Sequence, residues 1–267
     1  MLVNGRELSS RIKEDLKNKI KKENLNKSLG IFYVGKNEVI ENFIRIKKKF
    51  GEDIGVLVEV ISFDEKVSEV DLIKSIKKNS KKYDGLIVQL PLPQKINKKN
   101  VLNSVPVKKD IDVLNEKTFE VFKSGKKGKI PTVAGAVMEI FNAHNIDLKN
   151  KNIVIVGNGL LVGKPVFEIL KLQGLKPKVI TEKTKNAKDF YKNADVIISG
   201  VGIPNLIKKG SIKKGVILID AGSSSHNGSV VGDISKDCLE KSSLFSTVPG
   251  GVGPVTVAML FKNLLYN

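Results

Sequence analysis

Asn152-Ile153-Val154-Ile155-Val156-Gly157-Asn158-Gly159-Leu160-Leu161-Val162-Gly163 is the stretch that decides the fold of this chain. Consecutive β-branched apolar residues mark a strand buried on both faces, as in a parallel sheet. Glycines directly after such a strand permit a tight turn and close backbone approach, and Pro165 suits the first turn of a helix. Strand, glycine loop and helix in that order cradle a pyrophosphate, which the helix N-terminus stabilises. Gly159 and Gly163 stand one residue further apart than in the common dinucleotide fingerprint, so the loop is a variant of it. A merely structural turn is the plainer alternative for the glycines alone.

Outward from this string, strands and helices alternate. Leu8, Ile12, Leu16 and Ile20 predict an amphipathic opening helix. Residues 29–34 predict a buried strand, 38–54 a helix stopped by Gly55, 56–63 a strand, 70–80 a helix and 85–90 a strand. That last strand runs into Pro91-Leu92-Pro93, whose missing amide donors end the ladder. The polar stretch 108–129 reads as a passage between domains, and 134–144 as a helix. Further on, Lys178–Ile180, Val196–Ser199 and 216–219 predict strands, His226-Asn227-Gly228 a tight turn, and 255–265 a closing helix. The product is an α/β chain whose parallel sheets carry helices on both faces.

A length of 267 residues suffices for two modest domains, and 41% hydrophobic with 28% charged residues is ordinary for a globular chain. No apolar run reaches the ~18 residues of a membrane span, and the polar N-terminus shows no secretory leader. Cys238 stands alone, excluding an intrachain disulfide and a multi-cysteine metal site. A cytoplasmic protein, without membrane or metal, is expected. The net charge of +18 suggests nucleic acid first. Arginine, whose fork suits base and phosphate recognition, occurs only at Arg6, Arg11 and Arg45. The lysines are spread over every amphipathic segment, and abundant Lys, Asn and Ile fit AT-rich codons. The charge therefore reads as a solvated surface, with a field that attracts anionic ligands as the second reading.

Glu182 follows the 178–180 strand, where an acidic group hydrogen-bonds an adenosine ribose. A carboxylate there repels a 2′-phosphate and favours NAD over NADP, although Lys183 and Lys185 could serve a phosphate; a solvated loop glutamate is the alternative. Phe43 and Lys47, four apart, share a helical face. Gln89 ends a strand, where ligands bind in open α/β sheets, and Asp112 closes Lys109-Asp110-Ile111-Asp112. A lysine beside an apolar ring is desolvated and suited to proton transfer. Gln89 would orient that amine, and Asp112 would bind a donor-rich heterocycle. Singly, each is more often structural or solvated; Lys48 and Lys49 follow Lys47 directly. Val248-Pro249-Gly250-Gly251-Val252-Gly253-Pro254-Val255-Thr256 is the most specific string, an unusual backbone that lets a flat ligand approach closely.

Together with Val88-Gln89-Leu90-Pro91-Leu92-Pro93 and Val231-Gly232-Asp233, these strings make the chain resemble the bifunctional methylenetetrahydrofolate dehydrogenase/methenyltetrahydrofolate cyclohydrolase family over nearly its whole length. The resemblance implies a folate-binding α/β domain (1–113 plus 249–267), to which the C-terminal helix returns, around a Rossmann-type dinucleotide-binding domain (114–248). It implies Lys47 as the catalytic lysine, Gln89 as the amide that tunes it and Asp112 as the pterin's aspartate, with Phe43, Gly253 and Pro254 at the substrate. Gly157, Asn158, Gly159 and Ser223 match cofactor-binding positions. NADP or NAD is the implied cofactor, tetrahydrofolate derivatives the partners and a homodimer the assembly. Departures are Phe43 and Ile40 for the family's tyrosine and serine, Val113 for a glycine, and Asn158 and Gly159 for an arginine and a serine. The proline-cysteine-threonine-proline segment survives only as Ile130-Pro131-Thr132-Val133-Ala134-Gly135. The lost arginine also weakens the case for NADP. A dehydrogenase without hydrolase activity, a degenerate folate or nucleotide binder, and a nucleic-acid-binding protein are the competing readings.

Overall fold

The apolar runs at 29–34, 153–156, 196–199 and 216–219 become parallel strands. The computed structural model describes residues 1–226 and 229–266; Asn227 and Gly228, and with them the tight turn expected there, lie outside the described residues. The chain divides into two α/β units, one of residues 11–132 with the chain from Val257 onward, the other of Met1–Ser10 with Val133–Thr256.

The first unit contains most of α1 (Gly5–Glu23), then β1 (Ser28–Val34), α2 (Glu38–Ile54), β2 (Leu57–Phe63), α3 (Glu69–Asn79), β3 (Gly85–Val88), α4 (Lys98–Ser104) and α5 (Glu116–Lys123). Its strands pair in parallel in the order β2-β1-β3, so that Phe32 lies opposite Ile61 on one side and Val88 on the other. The central strand is fully buried from Leu29 onward, as a strand covered on both faces requires. The Asn37 side chain caps α2 by accepting the Ile40 amide, and Gly55 ends it in the left-handed conformation. A Cβ at Gly51 would fall 2.4 Å from a Val58 methyl carbon, so only glycine lets α2 lie this close to β2. The Phe50 ring stacks on Phe261 of the C-terminal helix at 5.1 Å between centroids.

In the second unit stand α6 (Thr132–Ala143, from its second residue), β4 (Ile153–Val156), α7 (Gly163–Leu172), β5 (Lys178–Ile180), α8 (Ala187–Asn193), β6 (Val196–Ser199), β7 (Val216–Asp220), β8 (Ser224–His226), β9 (Ser229–Val231) and β10 (Ser242–Ser246). A five-stranded parallel sheet runs β10-β7-β6-β4-β5, while β8 and β9 pair antiparallel. Val154, Ile197, Leu218 and Phe245 bury one continuous apolar layer. The N-terminus extends the β10 edge, the Val3 amide donating to the Phe245 carbonyl at 2.9 Å. The last helix, α9 (Val252–Leu265), begins in this unit and ends in the other.

The stretch 108–129 is not the open passage expected of it. It holds α5, buries Phe119 and Phe122, and encloses Asp110 and Asn115. Its lysines and glycines mask a short amphipathic helix. Helix α4 and strand β10 were likewise invisible in their polar composition.

Two carboxylates lie inside the second unit. Asp220 accepts the amides of Gly222, Asp233 and Ile234 at 2.8–3.1 Å; Asp233 accepts the Ser199 hydroxyl and the Val201 and Ile203 amides at 2.7–2.9 Å. Burial pushes the Asp220 pKa up to about 7, against the pull of its amide donors and with help from the Asp233 charge. A pKa above that of the unfolded chain makes this group's contribution complete below the ordinary carboxylate range and lost as pH rises through about 7. Thermal unfolding of the wild type should therefore fall in midpoint between pH 5 and 8 more steeply than that of Asp220→Asn. Parallel pH slopes in the two proteins would exclude Asp220 as the titrating group.

Candidate active site

Helix α2 carries Phe43 and Lys47 on one face, and β3 delivers Gln89 just past its carboxyl end. The Gln89 backbone amide bonds the Phe32 carbonyl of β1, fixing where the side chain starts. Its Nε2 donates to the Leu90 carbonyl at 2.8 Å, which turns Oε1 outward to accept the Lys47 ammonium at 2.8 Å. Burial lowers the Lys47 pKa below the ordinary lysine value, and the Asp112 charge opposes that shift without cancelling it. The next two lysines behave differently: Lys48 and Lys49 are exposed and pair with Glu52 and Asp53 one turn on. Lys47 alone of the three turns inward. Phe43 is half-buried beside it on the helix. Asp112 lies in the turn after Asp110 and accepts the Thr132 hydroxyl on Oδ1 at 2.5 Å. The structure thus brings an amine, an amide and a carboxylate of the first unit into one neighbourhood. A cavity of about 650 Å³ opens elsewhere, at the carboxyl ends of β1 and β2 between Tyr33, Glu41 and Glu65, and none of the three lines it.

Within the second unit the cofactor candidates collect at the carboxyl edge of the parallel sheet. Gly157 has φ +92° after β4, and its amide bonds the Ile180 carbonyl of β5 at 2.7 Å, which places Glu182 beside the loop strand. Glu182 is exposed in a turn closed by the Thr184 hydroxyl, which accepts the Thr181 amide. Asn158 is exposed, and the space above Gly159 is open. A Cβ on Gly163 would sit 2.0 Å from the Gly157 carbonyl oxygen, so the loop folds back on the start of α7. No side chain caps α7; the Lys164 amide donates to the Gly159 carbonyl at 3.1 Å, the Val166 amide to the Val162 carbonyl at 2.9 Å, and Pro165 has no donor. Ser223 follows β7, exposed, near Gly202 after β6. Two of these features fit a dinucleotide: open space over Gly159 at a helix start, and a carboxylate one strand away. Gly253 and Pro254 occupy the first turn of α9, where the Pro254 carbonyl accepts the Ser9 hydroxyl at 2.9 Å.

Sequence reasoning missed Asn263 and passed over Thr132. Asn263, buried on α9, bonds both Ile111 and Ile130. A lone asparagine in an apolar helix was the available signal, since a buried amide demands partners.

A sheet edge built for a dinucleotide and a desolvated lysine held by an amide define a two-domain nucleotide-dependent enzyme. Residues 3–112 match the catalytic domain of tetrahydrofolate dehydrogenase/cyclohydrolase, and residues 131–267 match the NAD(P)-binding domain of the same enzymes. The chain belongs to the tetrahydrofolate dehydrogenase/cyclohydrolase family. The bifunctional protein FolD of Clostridium novyi is 33% identical over 98% of this chain and 97% of its own length. The bifunctional FolD methylenetetrahydrofolate dehydrogenase/cyclohydrolase of Campylobacter jejuni superposes with a TM-score of 0.94 at 33% identity, covering 100% of this chain and 97% of its own. The Trypanosoma brucei enzyme, solved with NADP and an inhibitor, gives 0.93 at 26% identity over 99% and 96%.

The glycine loop makes its own prediction. Gly163→Ala should lower the thermal midpoint by several degrees, on the order of 1–3 kcal/mol of overpacking, whereas Gly159→Ala should leave it unchanged. Calorimetry on the two variants decides, and equal midpoints would show that the loop does not need its close approach.

Proposed function

We propose that this chain oxidises methylenetetrahydrofolate with a nicotinamide dinucleotide and hydrolyses the methenyl product to formyltetrahydrofolate. The observation that carries this reading is the Lys47 ammonium, pinned to Gln89 at 2.8 Å and depressed in pKa by burial, on a chain of this family. The first unit serves as the folate domain and the second as the dinucleotide domain. Gly157, Asn158 and Gly159 with the start of α7 would hold the pyrophosphate, Glu182 the ribose and Ser223 the nicotinamide half. Bound there, the dinucleotide supplies the acceptor for the hydride that leaves the methylene carbon.

The remaining chemistry belongs to residues of this chain. Asp112 binds the N–H donors of the pterin, and Phe43, Gly253 and Pro254 supply apolar contact to the flat ligand. Lys47, its pKa lowered because its charge is poorly solvated, takes the proton from the water that adds to the methenyl carbon. The Gln89 carbonyl keeps that amine in place. Exposed Glu182 repels a 2′-phosphate and Asn158 offers no positive charge to hold one, which favours NAD over NADP. Family resemblance supports a homodimer; the unclustered lysines speak against nucleic acid. Among the described residues no helix is long and apolar enough to cross a membrane, and a cytoplasmic location accords with that.

Purified protein should reduce NAD faster than NADP when given methylenetetrahydrofolate; no turnover with either cofactor would sink the reading. Lys47→Met should slow decay of methenyltetrahydrofolate by about a hundredfold or more. In the wild type that decay should accelerate with pH along a limb centred below the ordinary lysine value of 10.5.

Hydride transfer chiefly needs two rings held face to face, whereas water addition depends on the surroundings of Lys47. Phe43→Tyr is accordingly expected to raise the hydrolase rate more than the dehydrogenase rate. A gain confined to the dehydrogenase, measured in parallel assays, would contradict this division.

A further inference from the structure

The turn that carries Asp112 is strained and tied down. Val113 has φ +60°, a left-handed conformation that β-branched residues avoid, and its side chain is buried. Such a conformation persists only where its surroundings over-determine it. The Asn115 amide donates to Asp110 Oδ2 at 2.8 Å on one side of the turn. On the other, Asn263 Nδ2 donates to the carbonyls of Ile111 at 2.8 Å and Ile130 at 2.7 Å, while its Oδ1 accepts the Ile130 amide at 3.2 Å. One side chain on α9 thereby locks the segment before Asp112 to the segment before Thr132. The Lys129 ammonium adds a second tie, donating to the Val107 and Lys108 carbonyls at 2.8 Å. Thr132 is buried as the first residue of α6, and its hydroxyl donates to the Asp112 carboxylate instead of to solvent.

We propose that Thr132 is a positioning residue for Asp112, and that Asn263 sets the register between the two. The hydroxyl engages Oδ1 and fixes the plane of the carboxylate, so that Oδ2 is presented to the donor groups of the pterin in one orientation. This rests on the reading of Asp112 as the pterin's partner. Thr132 touches neither substrate nor reacting atoms in this role; it acts through Asp112, and the bond it makes is of the charge-assisted kind.

Kinetics of five variants test this: Thr132→Val, Thr132→Ser, Thr132→Ala, Asp112→Asn and the double variant Thr132→Val/Asp112→Asn. Loss of a hydrogen bond to a charged group predicts a KM for methylenetetrahydrofolate raised about tenfold or more in Thr132→Val. The KM for the dinucleotide should hold within about twofold, and Thr132→Ser should restore the folate KM to within about threefold. On the Asp112→Asn background Thr132→Val should add almost nothing, because its effect passes through the carboxylate. Thr132→Ala, which puts no methyl group where the hydroxyl was, should repeat the folate effect and guards against misfolding of the valine variant. A wild-type folate KM in both Thr132→Val and Thr132→Ala overturns the proposal, as do fully additive effects with Asp112→Asn or a serine variant as impaired as valine. A wild type that cannot oxidise methylenetetrahydrofolate at all overturns the functional reading itself, a different result from an active wild type indifferent to residue 132.

Discussion

An ammonium group leaves water only where something else holds it, and on α2 that something is the Gln89 amide. The arrangement is asymmetric. Gln89 spends its NH₂ on the neighbouring Leu90 carbonyl, so only its oxygen is left for Lys47. An amide oxygen offers half of what a carboxylate would: it orients the amine but does not stabilise the charge enough to offset burial, and the pKa falls. A glutamate at residue 89 would have formed an ion pair and locked the proton on. Much of the first unit can be read as support for this one contact. Residue 51 is glycine so that α2 lies close to β2, Phe50 stacks on Phe261, and the Gln89 backbone is fixed to β1.

In the second unit the loop after β4 depends on side chains being absent. A phosphate held by backbone, as proposed above, requires that nothing project over the loop, and two glycines meet that demand. Gly159 leaves open space, and Gly163 is packed so tightly on Gly157 that a methyl group has no room. The paired carboxylates of Asp220 and Asp233 hold the neighbouring strand ends by accepting backbone amides, a use of charge that is structural. Gly222 and Gly232 lie against those carboxylates, so the Val231-Gly232-Asp233 string, read from sequence as a family signature, is a packing requirement.

Much of the fold was legible because burial on both faces of a parallel sheet leaves a one-dimensional trace. Helix α2 was read from Glu38 to Ile54 with Gly55 as its stop, and the strands Lys178–Ile180 and Val196–Ser199 came directly from their apolar runs. Helix α5 was not, because Phe119 and Phe122 are separated and followed by lysines in a stretch whose core face is only two rings wide. At the site, the grouping of Lys47, Gln89 and Asp112 depended on resemblance; periodicity gives Lys47 no advantage over Lys48 and Lys49. What separates them is which way a helix faces, and that is set by tertiary packing. Thr132 and Asn263 were illegible for a related reason. Their partners lie up to 152 residues away in the chain, at Ile111 for Asn263, and nothing local encodes such a bond.

Two of the departures from the family pattern, Val113 and Phe43, lie on the Asp112 turn and on α2. Valine at residue 113 keeps the left-handed backbone that a glycine would adopt freely, at a cost of about 1–3 kcal/mol. Burial of that valine offsets the strain with a comparable gain, about 1.5–3 kcal/mol for a fully buried aliphatic side chain. The two nearly cancel, so the substitution leaves the turn's shape intact while making it stiffer, since glycine's freedom is gone. Thr132, by contrast, stands where the family's own threonine falls, and its hydroxyl donates to the Asp112 carboxylate. Phe43 removes a hydroxyl from the lysine's helix, whereas Thr132 keeps one for the aspartate's turn. The motif is therefore eroded beside the proposed proton-transfer group and kept beside the carboxylate proposed to hold the ring.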